Sequence, residues 1–534
     1  MLTYFVIAPV LIAVCLYIFP SVRLRRVIVV LAQSALVAAA LYLLTLTSGA
    51  REVVTNVGDY AGVLGITLRA DRLSAVFVLL TAVLFLVVSI YNFSEQKSKL
   101  FWFLLFIWEG AFIGLFLTRD LFNIFVLVEV ASVTTAVLLM YYRGNRSMYH
   151  GLAFLIIGVI VMQFYLLGIG YLYRLTGGFD MDYSARIIAQ LDRAELILPY
   201  ALIMTAIAAK CAVLPLFTFL PKICSIPLAP APVAAILSGL QVKSGIYLFL
   251  RFREMFPDMD HMGFFLGVGI LTAVFGVILA LGQTDIKKML AYSTMAQVGL
   301  ILIGLHINSP YAYYGSLYHI ITHAISKAAL FLGAGVLAKV YGTRNIAEIR
   351  GVFRQMPWVG VATALAILSM IGAPLFGGNI SKYFLMTDAP LPLYVLITLI
   401  NLGTVVIFLR YAAMLFGHPR RALVVEGARV KVDANQRDGL MVLGVLCLLS
   451  GVFGPQLIRA LFGIDVALSF WSYTEKVITL AASVAVGYLL LKYVGKAAAL
   501  TSIHLDRLEL GFRGICVSVG GFFAVMLIVM GFLG

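Results

Sequence analysis

Apolar segments long enough to cross a lipid bilayer recur from one end of this chain to the other. A membrane-spanning helix needs about 20 predominantly apolar residues, because the hydrocarbon core of a bilayer is about 30 Å thick. Of the 534 residues only 12% are charged, whereas a soluble globular protein has about 25%. This repetition predicts a single all-α, polytopic membrane protein rather than several soluble domains.

We predict 16 transmembrane helices. With the N-terminus outside, the inner loops carry about twice as many Lys and Arg side chains as the outer loops, in agreement with the positive-inside rule. Both termini are then expected on the outer side of the cell membrane, and the bias explains most of the net charge of +15 without nucleic acid as a partner. The predicted spans are 2–20, 27–47, 74–92, 100–118, 120–142, 152–173, 196–220, 229–250, 262–282, 289–306, 312–338, 357–387, 392–413, 439–458, 470–491 and 514–533.

Two predicted spans contain helix-breaking residues at membrane depth. Span seven carries Pro215, and span twelve carries the sequence GAPLFGG at 372–378. Proline removes a backbone donor and clashes with the preceding turn, so we expect two broken helices, although simple kinks are also tolerated in membrane helices. The two spans lie five apart, and an odd offset reverses direction across the membrane. This arrangement predicts two inverted five-helix repeats, which are typical of transport pathways.

The predicted repeats divide the chain into four parts. N-terminal helices 1–3 occupy residues 1–99. The first inverted repeat, helices 4–8, occupies residues 100–252, and the second, helices 9–13, occupies residues 262–415. C-terminal helices 14–16 occupy residues 439–534.

Several ionisable side chains lie within the predicted spans. A charge at the centre of a membrane helix costs about 2.5–3.5 kcal/mol, so these groups must be paired, hydrated or neutral. Glu129 and Lys210 are the expected acid–base pair, because both lie at mid-depth on helices that should adjoin. Glu109 has no evident partner and is a secondary candidate. The candidate residues for a proton or cation pathway are Glu109, Glu129, Lys210, Lys243, His319, His323, Lys327 and Lys382.

The sequence YHIITHAISKAALFLGAG, at 318–335, places two histidines and a lysine in an otherwise apolar run. His319, His323 and Lys327 are each four residues apart, which puts them on one face of a helix. Histidine changes its charge near neutral pH, so such a row can pass a proton by short hops. The alternative is that the histidines only form hydrogen bonds with neighbouring helices.

No sequence pattern predicts a redox cofactor, a metal site or a nucleotide site. The five cysteines are scattered without the spacing of metal ligands, and no Rossmann or P-loop glycine pattern stands out. We therefore expect the chain to bind no cofactor and to catalyse no reaction itself. A role as the ion-translocating subunit of a redox complex stays open.

Five long motifs are RDLFNIFVLVEVAS (119–132), KCAVLPLFTFLPKICSIPLAPAPVAAILSGLQVKSGIYLFLR (210–251), DIKKMLAYSTMAQVGL (285–300), LYHIITHAISKAALFLGAG (317–335) and GAPLFGGNISKYFL (372–385). Together they resemble the antiporter-like subunits of Mrp-type multisubunit cation/proton antiporters, membrane-bound hydrogenases and respiratory complex I. The resemblance implies that Glu129 and Lys210 pair in the first half. It further implies that Lys243 leads to the centre, that the histidine helix joins the halves, and that Lys382 ends the route.

Within that family, DLFNIF and YRLTGGFDM (173–181) favour the D-type subunit of an Mrp-type Na⁺/H⁺ antiporter. The sequence LFTFLP replaces a common His-x-Trp pattern, and three spans follow Arg437, so a proton-pumping subunit of a complex I-like or hydrogenase complex is the alternative. A non-conducting membrane scaffold is a third reading, which the insertion cost of central charges disfavours. The expected partners are other membrane subunits, lipid, H⁺ and, for an antiporter, Na⁺.

Overall fold

The computed structural model describes residues 1–19, 21–49, 51–60, 65–95, 97–226, 229–259, 262–418, 430–493 and 510–532. This part of the chain is helical apart from two short antiparallel strands, Val53–Asn56 and Thr67–Ala70. The strands form a hairpin between the helices Val22–Leu46 and Arg72–Asn92, and they are an addition to the predicted all-α fold.

Helices of the first half begin with side-chain caps at several positions. Asp71 accepts a hydrogen bond from the Ser74 amide, and Asp120 accepts one from the Asn123 amide, so each satisfies a backbone donor of the first turn. The described helices up to Met255 are α1 (Leu2–Ile18), α2 (Val22–Leu46), α3 (Arg72–Asn92), α4 (Lys99–Leu117), α5 (Leu121–Leu139), α6 (Asn145–Thr176), α7 (Met181–Ile188), α8 (Arg193–Lys210), α9 (Phe219–Cys224), α10 (Ala231–Ile236) and α11 (Val242–Met255).

The second half is also helical, and its central helix, α14, has 32 residues. It packs against α10, α13, α16, α17 and α19, and most of its side chains are buried. The described helices after Met255 are α12 (Met262–Leu281), α13 (Ile286–Leu305), α14 (Pro310–Tyr341), α15 (Val352–Gln355), α16 (Pro357–Ile371), α17 (Gly377–Leu385), α18 (Leu391–Ala412), α19 (Ala434–Val452), α20 (Gly454–Phe462), α21 (Phe470–Tyr493) and α22 (Phe512–Phe532).

Twelve helical segments of the described chain are long and apolar enough to cross a membrane, or 13 if α19 and α20 form one span. Those two helices meet at 90°, so the predicted span 439–458 is sharply bent rather than straight. The predicted span 2–20 corresponds to α1, which has only 17 residues. The predicted spans 196–220 and 357–387 are interrupted, because α8 ends at Lys210 and α16 ends at Ile371. The chain is therefore a helical polytopic membrane protein.

Two segments of the fold share a local architecture. Helices α6 and α14 have 32 residues each and end at a glycine in the left-handed conformation. After α6 the chain returns to the start of α5, where Asp180 and Asp120 form an isolated antiparallel β-bridge. After α14 it returns to the start of α13, where Asn345 and Asp285 form another. Each member of the second pair lies 165 residues after its counterpart in the first.

Candidate functional site

Lys210 lies at the point where α8 breaks. The next residues leave the helix, and Ala212 adopts the left-handed conformation with φ of 55°. The Lys210 ammonium donates a hydrogen bond to Ser132 Oγ at 3.0 Å, on α5. Glu129, one turn earlier on α5, is half-buried, and among the described residues its Oε1 has no hydrogen-bond partner.

The expected pairing of Glu129 with Lys210 is thus electrostatic rather than direct. The two charges lie close enough to influence each other, but no ion pair within 4.0 Å joins them in the part of the chain that the structure describes. The Ser132 hydroxyl, which donates to the Val128 carbonyl at 2.7 Å, holds the ammonium instead. Lys210 also lines a crevice with Gln241, whose side chain accepts a hydrogen bond from a threonine of α5 at 3.0 Å.

A π-helical turn, Leu237–Gln241, joins α10 to α11. Such turns are rare and occur frequently at functional sites. Lys243, which is fully buried, donates to the Ser238 carbonyl oxygen within this turn. The Ser238 hydroxyl shares a hydrogen bond of 2.7 Å with the Thr294 hydroxyl of α13. The turn therefore connects the lysine of the first half to a helix of the second.

Lys327, on α14, contacts the same helix. Its ammonium donates to the Leu290 carbonyl at 2.9 Å, and Thr294 Oγ1 donates to that same oxygen at 2.9 Å. Lys243 and Lys327 therefore contact the same short cluster, Lys243 through the backbone carbonyl of Ser238 and Lys327 through the Leu290 carbonyl that Thr294 also binds. Both lysines are fully buried.

The two histidines stack on one face of α14, with ring centroids 5.9 Å apart. His319 Nε2 shares a hydrogen bond of 2.9 Å with Gln297 Oε1, and its Nδ1 shares one of 2.9 Å with Ser381 Oγ. Neither ring nitrogen of His323 has a hydrogen-bond partner among the described residues. The packing alternative, in which the histidines only form hydrogen bonds with neighbouring helices, therefore fits His319 but not His323.

Lys382 lies on α17, beyond the second break. Its ammonium donates to the Met370 carbonyl at 2.9 Å, an oxygen available because the last carbonyls of a helix have no intrahelical partner and α16 ends one residue later. Ser381, the residue before it, is the hydroxyl bound to His319. The histidine row therefore ends beside Lys382. An adjoining cavity is lined by Lys382, Asn379, Asn401, Lys476 and Ser483, among others.

Glu109 lies apart from the other candidates. It is fully buried on α4 and accepts a hydrogen bond of 2.6 Å from Gln33 Nε2 of α2. No hydrogen bond joins it to another candidate residue within the described ranges, and its Oε1 is without a partner there.

An ion cluster that the sequence did not reveal lies where α3 begins. Asp71 accepts from Arg251 Nη2 at 2.6 Å and from Arg119 Nη2 at 2.9 Å. Burial alone would raise the pKa of Asp71, but the two guanidinium groups outweigh burial and hold that pKa well below its usual range. The cluster thereby links α3, the start of α5 and the end of α11. Its sequence signal was weak, because the three residues lie in separate loops or helix ends.

The connecting groups were also missed, because they are uncharged. Four of them bind a candidate lysine or histidine directly, namely Ser132, Ser238, Gln297 and Ser381. Thr294 binds the Ser238 hydroxyl and the Leu290 carbonyl. Hydroxyl and amide groups within apolar runs were the available signal, but only packing shows which of them face a charge. Among the residues that the structure describes, no group of three or more His, Cys, Asp or Glu side chains is arranged to hold a metal ion.

The sequence profile of the family described as "NADH:quinone oxidoreductase/Mrp antiporter, TM" matches residues 118–408. That interval contains every candidate residue except Glu109. It also contains both broken helices and the whole of α14.

Two similar proteins have sequences close enough to compare in detail. The N subunit of the NADH-quinone oxidoreductase of Desulforudis audaxviator is 32% identical over 423 residues, which cover 74% of this chain and 83% of that protein. The D-type subunit of the Na⁺/H⁺ antiporter of Alkalihalophilus pseudofirmus is 31% identical over 345 residues, which cover 63% of this chain and 69% of that protein.

Solved structures share the fold at lower sequence identity. A chain of the Mrp complex from a Dietzia species superposes with a TM-score of 0.80 at 23% identity, covering 90% of this chain and 99% of that one. A chain of respiratory complex I from Thermus thermophilus superposes with a TM-score of 0.74 at 24% identity, covering 91% and 100%. Because the profile spans more than half of the 534 residues, the chain belongs to the NADH:quinone oxidoreductase/Mrp antiporter family, as its sequence motifs predicted.

Proposed function

We propose that this chain is an ion-translocating subunit of a multisubunit membrane complex, most similar in role to the D-type subunit of an Mrp-type Na⁺/H⁺ antiporter. The observation that best supports this function is the row of buried polar groups that runs from Lys243 through Lys327 and the histidines to Lys382. A chain that served only as a scaffold would gain nothing from so many costly groups at membrane depth.

In the proposed pathway, protons enter the first half at Glu129 and Lys210, with Ser132 between them. Lys243 receives them next and passes them to Lys327, whose ammonium contacts the Ser293 hydroxyl of α13. His323 and His319 then carry them to the surroundings of Lys382. Within this scheme Glu109 keeps a secondary role as a separate proton site. Hydrogen-bonded hydroxyl groups suit such a pathway because each one both donates and accepts.

We also propose the finer architecture that the sequence predicts. In it, 16 spans place both termini outside the cell membrane, and residues 100–252 and 262–415 form two inverted repeats. The constant separation of 165 residues between the matching bridges supports the repeats. The two breaks support them as well, since each contains a non-glycine residue in the left-handed region, Ala212 with φ of 55° and Leu375 with φ of 69°.

The ions and partners are inferred from relatives. Proteins named as the D-type subunit of an Na⁺/H⁺ antiporter are among the similar sequences, which favours exchange of Na⁺ for H⁺ in company with other membrane subunits. The relative named as the N subunit of NADH-quinone oxidoreductase favours a second candidate, a proton-pumping subunit of a redox-driven complex. In either case this chain contributes the ion pathway.

Proteoliposomes that contain the assembled complex test the proposal. An imposed Na⁺ gradient should change the internal pH, and Lys382→Ala should abolish that change while the complex stays assembled. Lys476→Met is the matched control, because Lys476 lines the same cavity but donates to Tyr394 at 2.8 Å rather than to the pathway. Normal ion movement in Lys382→Ala would contradict the assignment. A pH change that needs a redox substrate instead of Na⁺ would favour the pump.

A further inference from the structure

A wide cavity opens at the end of the helix bundle where α3 and α14 finish and α13 begins. Its volume is about 690 Å³. Part of the wall is apolar, from Ala231, Pro232, Gly335 and Val336. The charged residues of its lining are Glu95, Lys97, Lys287, Lys339 and Arg344.

Lys287 is the innermost of these charges. It is only 3% exposed, and its ammonium forms no hydrogen bond or ion pair with any residue that the structure describes. The nearby carboxylate of Asp285 is already engaged, because it binds Arg344 at 3.1 Å and caps α13 by accepting from the Lys287 amide at 2.8 Å. A buried ammonium without a counter-ion is costly, so the site lacks a negative charge.

The rim does not supply that charge. Glu95, the one carboxylate among the described lining residues, binds Lys97 at 2.6 Å and lies 3.5 Å from Lys339. Arg344 is matched by Asp285, whereas Lys97 and Lys339 share Glu95 and Lys287 has no ion pair within the described residues, so the cavity has a surplus of positive charge. An anion would be attracted to it, whereas a cation would be repelled.

We infer that this cavity binds a phosphate-bearing anion, the headgroup of an anionic membrane lipid, with Lys287 as its deepest contact. The apolar wall suits the start of an acyl chain. Under the proposed topology the cavity opens on the cytoplasmic side, where basic pockets between helices bind anionic headgroups. Inorganic phosphate has the same headgroup chemistry and is the other possible source, which the experiment below separates.

The anion site itself does not depend on the proposed ion transport, and its test measures binding alone.

The test is native mass spectrometry of the purified full chain with equal amounts of phosphatidylglycerol and phosphatidylcholine. We expect one phosphatidylglycerol to be retained in preference to phosphatidylcholine. Inorganic phosphate is then added as a competitor. If millimolar phosphate displaces the lipid, free phosphate also occupies the site, and if it does not, the site is specific for lipid. Equal retention of the two lipids, with no binding of phosphate, would overturn the inference.

Substitutions locate the site within the cavity. Lys287→Met should weaken phosphatidylglycerol binding about tenfold or more, because it removes a charge-assisted hydrogen bond. Lys339→Met should weaken binding less. Because Lys339 is exposed on the rim, this substitution should not disturb folding. Lys99→Met is the control, because Lys99 lies at the same end of the bundle but outside the cavity. Unchanged binding in both cavity variants would contradict the inference.

Discussion

The two halves of the molecule differ in the carboxylate groups near their buried lysines. In the first half, Lys210 donates to a serine hydroxyl and has the half-buried Glu129 as a neighbouring negative charge. In the second half, Lys327 donates to the Leu290 carbonyl and to the Ser293 hydroxyl, and Lys382 donates to the Met370 carbonyl. Neither ammonium forms an ion pair with a carboxylate within the described ranges. A carbonyl orients an ammonium but cannot accept its proton. The second half must therefore pass protons between lysines and histidines, whereas the first half can use its own carboxylate.

The largest expected effect comes from breaking the second half at Lys327. Lys327→Met removes the only ionisable group between Lys243 and His323 in the proposed pathway. Transport should fall by roughly 1000-fold, within the range for loss of a proton-transfer group. Na⁺-driven pH change in proteoliposomes measures it. Ser293→Ala removes a hydrogen bond to the same ammonium but no proton carrier, so it should lose only a few-fold. Equal activity of Lys327→Met and wild type would remove the second half from the pathway.

Glu129→Gln tests the first half in the same assay. We expect a loss of about 100-fold, because the variant keeps the shape of the side chain but cannot carry a proton. Ser132→Ala is the matched control, since it removes the hydrogen bond to Lys210 and leaves both charges, and it should cost about fivefold. If Ser132→Ala were the more damaging change, the hydroxyl rather than the carboxylate would be essential in this half.

The ion cluster at Asp71 joins helices of the first half only. Its removal therefore tests the difference between the two halves through the stability of the chain. Asp71→Asn leaves Arg119 and Arg251 without their shared carboxylate and should destabilise the chain by about 3–5 kcal/mol at neutral pH. The pKa of Asp71 is lowered in the folded state, so its contribution is complete above the unfolded pKa of about 3.9 and is lost as the pH falls below that value.

Thermal unfolding at several pH values measures this effect. The difference between wild type and Asp71→Asn should shrink below about pH 4. Asp182→Asn is the control, because its ion pair with Arg69 is more exposed and should contribute less than about 1 kcal/mol. A difference that grew as the pH fell would show that the carboxylate is not stabilised by the two arginines.

The smallest expected effects concern the backbone contacts at the two breaks. A methyl group at Gly378 would overlap the Ser369 carbonyl oxygen, whereas one at Gly245 would lie 2.8 Å from the Cys211 nitrogen. Gly378→Ala should therefore destabilise the chain by about 1–3 kcal/mol, and Gly245→Ala by somewhat less. Gly170→Ala is the control, because that position is open. Thermal stability equal to the control in Gly378→Ala would show that the second break is not tightly packed.

The sequence predicted the features that depend on composition and local chemistry. Apolar runs predicted the membrane fold, and the proline and glycine residues marked the interruptions after Lys210 and Ile371. The insertion cost of charge singled out Lys243 and Lys327, both of which are fully buried. The family resemblance was also predicted, because its motifs are long and specific.

Features that depend on packing could not be predicted. Nothing local shows that Lys210 binds Ser132 rather than Glu129, since the choice depends on how α5 and α8 approach each other. The strands of the hairpin have only four residues each and lie between much stronger apolar patterns. The bend between α19 and α20 did have a signal, because Gly454 and Pro455 adjoin it, but a glycine–proline pair also occurs in continuous membrane helices.

The most direct test of the proposed pathway is the comparison of His323→Gln with His323→Ala in the assembled complex. Glutamine keeps a polar side chain of similar length but cannot take up a proton near neutral pH. Because His323 has no hydrogen-bond partner within the described chain, its role should lie in its proton and not in a hydrogen bond to a neighbouring helix. We predict that both variants assemble normally and that both lose Na⁺-driven pH change by about 100-fold or more. A fully assembled and fully active His323→Gln variant would contradict the pathway.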